Sequence, residues 1–205
     1  MRFLRAGPAA LLVELDDIRQ VLGLAAEVER RRTEGWAPSL LDVVPGATTL
    51  LLDGVADPPG LAREIGSWSV PAAAVSVGPV ITIGCRYDGP DLEEVAGQWE
   101  VGPDEVARIH SSVLHEVAFC GFGPGFAYMT AVGQQRVVAR RSSPRTRVPA
   151  GSVALGGLFT GIYPRSSPGG WQLIGHTDAV LWDPGREPAA LLSPGCRVRF
   201  VEAGA

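Results

Sequence analysis

Between Arg140 and Thr177 the chain reads RRSSPRTRVPAGSVALGGLFTGIYPRSSPGGWQLIGHT. Four arginines, Arg140, Arg141, Arg145 and Arg147, stand just ahead of a segment of glycines, prolines and small hydroxyl residues. Guanidinium forks match carboxylates, and backbone N–H groups exposed in tight turns collect anions. Surface loops seldom also carry Val153, Leu155, Ile162, Trp171, Leu173 and Ile174 among their breakers. The mixture predicts short buried strands joined by fixed turns, with backbone exposed along one wall of a groove. The expected chemistry is recognition of an anionic ligand or of a partner's carboxylate. In that reading Arg145 binds the anion and Ser152 donates its hydroxyl to a ligand or to backbone. Tyr163, Gly169, Gly170 and Trp171, with Pro164 and Pro168, form a rigid amphipathic wall of a composition also favoured at protein interfaces.

A second set of residues bears on proton transfer. His110, His115 and His176 are the three histidines. The resting pKa of imidazole suits His110 to general acid–base work, although a helix histidine bonded to its neighbours reads equally well. The spacing of the three offers no metal-ligand pattern, so no metal site is expected. The run Gly121-Phe-Gly-Pro-Gly-Phe is not followed by a helix pattern, which argues against a dinucleotide fingerprint. Gly123 and Gly125 are expected to let backbone approach closely at a pocket wall, with Pro124 fixing the turn. Phe122, Phe126 and Tyr128 read as core. Neither a Walker-type phosphate loop nor a nucleophile elbow around Ser152 can be read.

These residues need a scaffold, and the composition supplies one. The chain has 205 residues, 46% of them hydrophobic and 20% charged, enough for a sizeable core in one large or two small domains. A formal charge of -4 argues against a general nucleic-acid binder. Uninterrupted apolar runs fall well short of the roughly 18 residues of a membrane span, and the three cysteines are scattered. A cytoplasmic protein is expected, with no nucleic-acid or membrane partner.

Strand Ala9–Glu14, a helix from Ile18 to Gly35 capped by Asp16 or Asp17, strands around Ser39–Val44 and Thr48–Asp53, and a helix Leu61–Trp68 predict a small α+β layer domain over residues 1–84. Val70–Val77 reads as a linker and Val80–Cys85 as a strand at the boundary. Helices are expected over Pro90–Ala96 and Asp104–Leu114, the latter putting His110 and Leu114 a turn apart. Seven short strands then follow: Val117–Cys120, Phe126–Thr130, Arg136–Ala139, Ser152–Leu155, Gln172–Gly175, Ala179–Trp182 and Arg197–Val201. They predict a closed or nearly closed β-barrel in residues 85–205, so the fold class is α+β.

The motifs in this frame resemble a known family. His110-Ser-Ser followed by Val117-Ala-Phe-Cys-Gly-Phe-Gly-Pro-Gly-Phe-Ala-Tyr is similar to the signature of the bacterial 5-oxoprolinase B-subunit family. That family is also known as allophanate hydrolase subunit 1 and as the Kip-type inhibitors of histidine kinases. Pro144-Arg145, Val148-Pro-Ala-Gly-Ser-Val, Thr160-Gly-Ile-Tyr-Pro, Ser167-Pro-Gly-Gly-Trp171 and Ile174-Gly match its second half, and Tyr87-Asp-Gly-Pro-Asp-Leu-Glu-Glu-Val-Ala its upstream segment. The resemblance implies a cyclophilin-like barrel after the small α+β domain. It also implies a C subunit of related barrel fold and an A subunit as partners, a small-molecule amide as substrate, and ATP at the level of the complex. It makes this chain a B subunit, inactive alone, in the ATP-dependent opening of 5-oxoproline to glutamate or a related allophanate- or urea-type hydrolysis. An inhibitor that binds a histidine kinase and a stand-alone amide hydrolase are the other readings. Three positions depart from the family pattern: a Gln is Phe159, an Arg is His176 and a Tyr is His115. Replacing Arg by His removes a permanent bidentate donor, which bears on the substrate if His176 touches it.

Overall fold

The computed structural model describes residues 1–36, 39–73, 78–133 and 136–204. The chain divides into two compact units, Met1–Ala74 and Val75–Ala205. Residues 74–77, the end of the expected linker, lie outside the described residues.

In the first unit, strands β1 (Arg2–Arg5), β2 (Ala10–Glu14), β3 (Asp42–Pro45) and β4 (Thr49–Asp53) form an antiparallel sheet in the order β1-β2-β4-β3. The register sets Leu11 opposite Leu52 and Val13 opposite Leu50, so all four buried side chains share one face. Helices α1 (Ile18–Thr33) and α2 (Pro58–Gly66) pack against this sheet and contribute Val21, Leu24, Val28 and Ile65 to the core. Asp17 caps α1 by accepting from the Gln20 N–H, and Asp57 caps α2 by accepting from the Gly60 N–H. The charge run ending α1 is a solvated network in which Arg30 pairs with Glu27 and Glu34. β1 was not expected: with only Phe3 and Leu4 partly buried, it is an edge strand with little hydrophobic pattern.

In the second unit, β5 (Val80–Cys85) leads through α3 (Leu92–Trp99) and α4 (Pro103–Ser112) to β6 (Leu114–Cys120) and β7 (Ala127–Ala131). β8 (Arg145–Val148), β9 (Ser152–Gly156), β10 (Phe159–Ile162), β11 (Ser167–Gly169), β12 (Gln172–His176) and β13 (Arg197–Glu202) follow. Seven strands make one sheet in the order β12-β9-β10-β7-β6-β13-β5, while β11 and β8 pair separately. The sheet curls until its edges meet. Arg86, just past β5, and His176 of β12 exchange two backbone hydrogen bonds of 2.8 Å. Gly175 allows the meeting, because a Cβ there would lie 2.3 Å from the Arg86 carbonyl oxygen.

Alternation along the strands gives the sheet two apolar faces. Val153, Leu155, Ile162 and Ile174 join the larger core with Val95 of α3 and Val106 of α4, while Ala154, Leu173 and Trp171 join a smaller aromatic core with Phe126 and Tyr163.

Four expectations are corrected. Residues 136–139 are not a strand: Val138 makes one bridge to Gly157, and the Ala139 N–H donates to the Gln98 side chain instead. Residues 179–182 are not a strand either, with a single bridge between Trp182 and Ala190. β10, absent from the expected strands, is a central strand between β9 and β7, and glycine is needed in it because a Cβ at 161 would come within 2.8 Å of the Phe126 ring and 2.9 Å of the Trp171 ring. Finally, α4 stops at Ser112 because Val113 is extended at φ -102° and ψ 150°, so Leu114 opens β6 rather than sitting a turn from His110.

Candidate functional site

The expected site residues separate into three places. The first is a cleft of about 230 Å³ on the aromatic face of the sheet, lined by residues including Tyr163, Gly169, Gly170 and Trp171 together with Phe122, Tyr128 and Arg140. Phe126 forms its floor. Its ring meets Phe122 at 5.2 Å, Tyr163 at 5.4 Å and Trp171 at 5.7 Å between centroids, in edge-to-face or near-perpendicular geometry. Glycines make room for this packing: at Gly156 a Cβ would stand 2.7 Å from the Trp171 indole, and at Gly169 it would strike the Tyr163 hydroxyl. Burial raises the pKa values of the Tyr128 and Tyr163 phenols, so both keep their protons.

The arginines around this cleft are not equivalent. Asp91, only 4% exposed, accepts from Arg145 Nη2 at 2.7 Å and from Arg141 Nη1 at 3.2 Å, and its second oxygen accepts from the Leu173 N–H at 2.7 Å. Arg141 Nε and Arg145 Nη1 have no acceptor among the described residues. Arg140 makes no ion pair among those residues; its guanidinium carbon lies 5.8 Å from the Trp171 ring centroid. Arg145, the residue expected to bind an anion, is thus held by a buried carboxylate, and Arg140 is the exposed guanidinium at the rim. Arg147 donates to Ser166. Sequence reasoning did not single out Asp91, inside the expected Pro90–Ala96 helix, and did not separate Arg140 from its neighbours.

Gly123 and Gly125 hold the loop that carries Phe122. Phe126 N–H donates to the Gly123 carbonyl at 3.0 Å with Gly125 at φ +80°, the turn that a Pro-Gly pair favours. Phe122 itself sits at φ +65° under a 2.7 Å hydrogen bond from the Gly123 N–H to the Gly121 carbonyl. It is 62% exposed, which corrects its reading as core; Phe126 is buried as expected.

The second place holds His110, on the other face of the sheet. It is 3% exposed, and its Nδ1 lies 2.8 Å from the Tyr87 hydroxyl and its Nε2 3.2 Å from Thr160 Oγ1. Burial keeps the Tyr87 phenol protonated. With that phenol donating to Nδ1, the Nε2 proton faces Thr160. The ring packs against those of His115 and Phe200, each at 4.6 Å. Burial pushes the pKa of His110 well below its ordinary range, and that of His115 down to about 4. A crevice of only about 40 Å³ reaches the pair, between Trp99, Leu158 and Phe159.

The third place is the seam between β5 and β12. His176 Nδ1 lies 2.9 Å from an Arg86 guanidinium nitrogen, its ring packs against Gly151, and Ser152 is its buried partner across the β9–β12 pair. Neither lines the cleft. Among the described residues no helix is long and apolar enough to cross a membrane.

Comparison with known proteins adds to this geometry. The family model for the carboxyltransferase domain, subdomain C and D, matches residues 1–192. The 5-oxoprolinase B subunit of Escherichia coli O157:H7 is 51% identical over 113 residues, 55% of this chain and 52% of the relative. The protein of the same name from Bacillus subtilis (strain 168) is 48% identical over 113 residues, covering 55% of this chain and 47% of its own. The chain thus spans about half the length of the curated relatives it matches. Among solved structures, TTHA0988 superposes with a TM-score of 0.71 at 37% identity, covering 96% of this chain and 40% of that one. The K. lactis urea amidolyase shares the fold, with a TM-score of 0.76 at 17% identity over 98% of this chain and 15% of that protein.

Proposed function

The chain belongs to the carboxyltransferase subdomain C and D family, and from that premise we propose that it is the B-type component of a heteromeric, ATP-dependent 5-oxoprolinase. It would work with a C subunit of related barrel fold and an A subunit in the cytoplasm, opening the lactam of 5-oxoproline to glutamate. The observation that carries this reading is the cleft itself: a slot floored by Phe126, walled by Trp171 and Tyr163, with Arg140, which makes no ion pair among the described residues, at its rim. A flat lactam that bears a carboxylate suits aromatic walls and one guanidinium. The relatives that carry the 5-oxoprolinase B-subunit name support a place in such a complex.

In this reading the second unit is a cyclophilin-like barrel preceded by a separate α+β domain. In this reading ATP acts at the level of the complex. The chain's own residues bind and orient the substrate. Any acid–base role of His110 would run through Tyr87 or Thr160, the two hydroxyls it touches. Arg145 and Asp91 act on the cleft by fixing its rear wall, and Ser152 and His176 by holding the seam.

The test is reconstitution: 5-oxoproline opening followed with ATP, this chain and its A and C partners, each omitted in turn. Turnover that needs this chain supports the assignment; full turnover without it overturns the assignment.

A further inference from the structure

Phe122 is an anomaly that packing does not explain. A non-glycine residue at φ +65° is strained, and such strain persists only where the surroundings enforce it. Here it lies between two glycines, in a turn that would be easier with a third. The ring gains little by burial, being 62% exposed, and meets Phe126 at 5.2 Å and Tyr163 at 6.2 Å between centroids, both in T-shaped geometry. A large apolar side chain is therefore held out, at a cost in backbone energy, over the mouth of the cleft. On the far side of the Phe126 floor stands Trp171, with the Arg140 guanidinium 5.8 Å from its ring. Among the described residues, the only charged side chains lining the slot are Arg140 and Arg141, and the carboxylate nearby, Asp91, already serves Arg141 and Arg145. A chain of net charge -4 has thus gathered an acid-free cationic rim around an aromatic slot.

The geometry points to Phe122 and Arg140 as the two jaws of a clamp for a small, flat carboxylate: Phe122 covers the ring of the ligand, and Arg140 pairs with its carboxylate and sets specificity for the charged form. This rests on the proposed function for the identity of the natural ligand, but not for the class. The clamp needs a planar body thin enough to lie between two aromatic walls and an anionic group at one edge. A neutral amide of the same shape leaves the guanidinium without its partner, and a ring without the carboxylate loses it entirely.

The experiment is calorimetric titration of the full chain with three probes, 5-oxoproline, its neutral carboxamide and furan-2-carboxylate, beside thermal melts of each variant. Wild type is expected to bind at least one of the carboxylates tenfold or more tighter than the carboxamide. Arg140→Gln should abolish that preference. Phe122→Gly should weaken carboxylate binding by tenfold or more while leaving the melting temperature unchanged or higher, since glycine relieves the strain. Phe122→Leu, which keeps an apolar cover, should bind at an intermediate strength. Furan-2-carboxylate binding without 5-oxoproline binding would uphold the clamp and count against the proposed substrate. Binding of neither carboxylate, or binding indifferent to Arg140→Gln and Phe122→Gly, would overturn the clamp. So would a Phe122→Gly melt several degrees below wild type, because the ring would then be structural.

Discussion

Arg145 and Asp91, 54 positions apart in sequence, meet at 2.7 Å behind the aromatic cleft, where the carboxylate also accepts from the Leu173 N–H of β12. This pair ties the start of α3, the strand β8 and the strand β12 into one wall. Removing the acid strands two guanidinium groups and a buried N–H together. Asp91→Ala should therefore cost about 3 kcal/mol of unfolding free energy, within the range for breaking a buried pair. Arg145→Ala should cost less, because Arg141 and Leu173 still satisfy the carboxylate. Urea unfolding of the two variants checks the order, and a larger loss for Arg145→Ala would contradict this account of the wall.

Trp171 depends on two glycines. A methyl group at Gly156 or Gly161 would come within 2.7 Å or 2.9 Å of its ring. Gly156→Ala and Gly161→Ala should each destabilise by about 1–3 kcal/mol, the usual result of overpacking. The near-ultraviolet circular dichroism of the aromatic cluster should weaken as well. Wild-type spectra from both variants would mean that the cleft floor is looser than the packing implies.

His110 and His115 set an acid limit on the fold. Both are neutral when buried, with His115 held down to about 4 and His110 well below its ordinary value. In the unfolded chain each titrates near pH 6.5, so below that pH the unfolded state binds more protons and stability falls. The slope should be about 1.4 kcal/mol per pH unit for each imidazole, beginning near pH 6.5; for His115 it ends near pH 4. Unfolding measured at pH 7 and pH 5 should show the loss, and His115→Gln should remove about half of it. A flat profile across that window would mean that both rings protonate within the fold, and half the expected slope that one of them does.

Mutating His110 separates a buried structural role from an acid–base one. His110→Gln keeps a hydrogen-bonding group between Tyr87 and Thr160. If the ring relays protons, turnover of the reconstituted complex should fall tenfold or more at every pH, with binding of 5-oxoproline to this chain unchanged. Retained turnover would leave the ring as core packing.

Much of this architecture was legible in the sequence, for reasons that particular residues make plain. α1 announces itself through Asp17 followed by apolar residues at helical spacing, whereas α2 begins at Pro58, three residues before the expected Leu61, under a cap from Asp57. β13 alternates Val198 and Phe200 inward with exposed Arg199 between them. β10 was hidden because Gly161 reads as a breaker, while its actual reason, the volume of Trp171 and Phe126 overhead, comes from residues distant in sequence. The site divides the same way. The arginine-rich run and the Gly-Gly-Trp loop do meet in one cleft. Which arginines are held, however, depends on Asp91, about 50 residues upstream of Arg141. Nothing local distinguishes Arg140 from Arg145. Phe122 and Phe126 stand in near-identical sequence surroundings, and only the turn between Gly121 and Gly123 puts one outside and the other in the core.

The most direct test of the central claim is ATP-dependent opening of 5-oxoproline by the reconstituted complex, run with this chain, without it, and with Arg140→Gln in its place. The account predicts no turnover without the chain and a loss of tenfold or more, about 1.4 kcal/mol in the barrier, with the variant. Full turnover in the absence of the chain, or from the variant at wild-type rate and affinity, would contradict it.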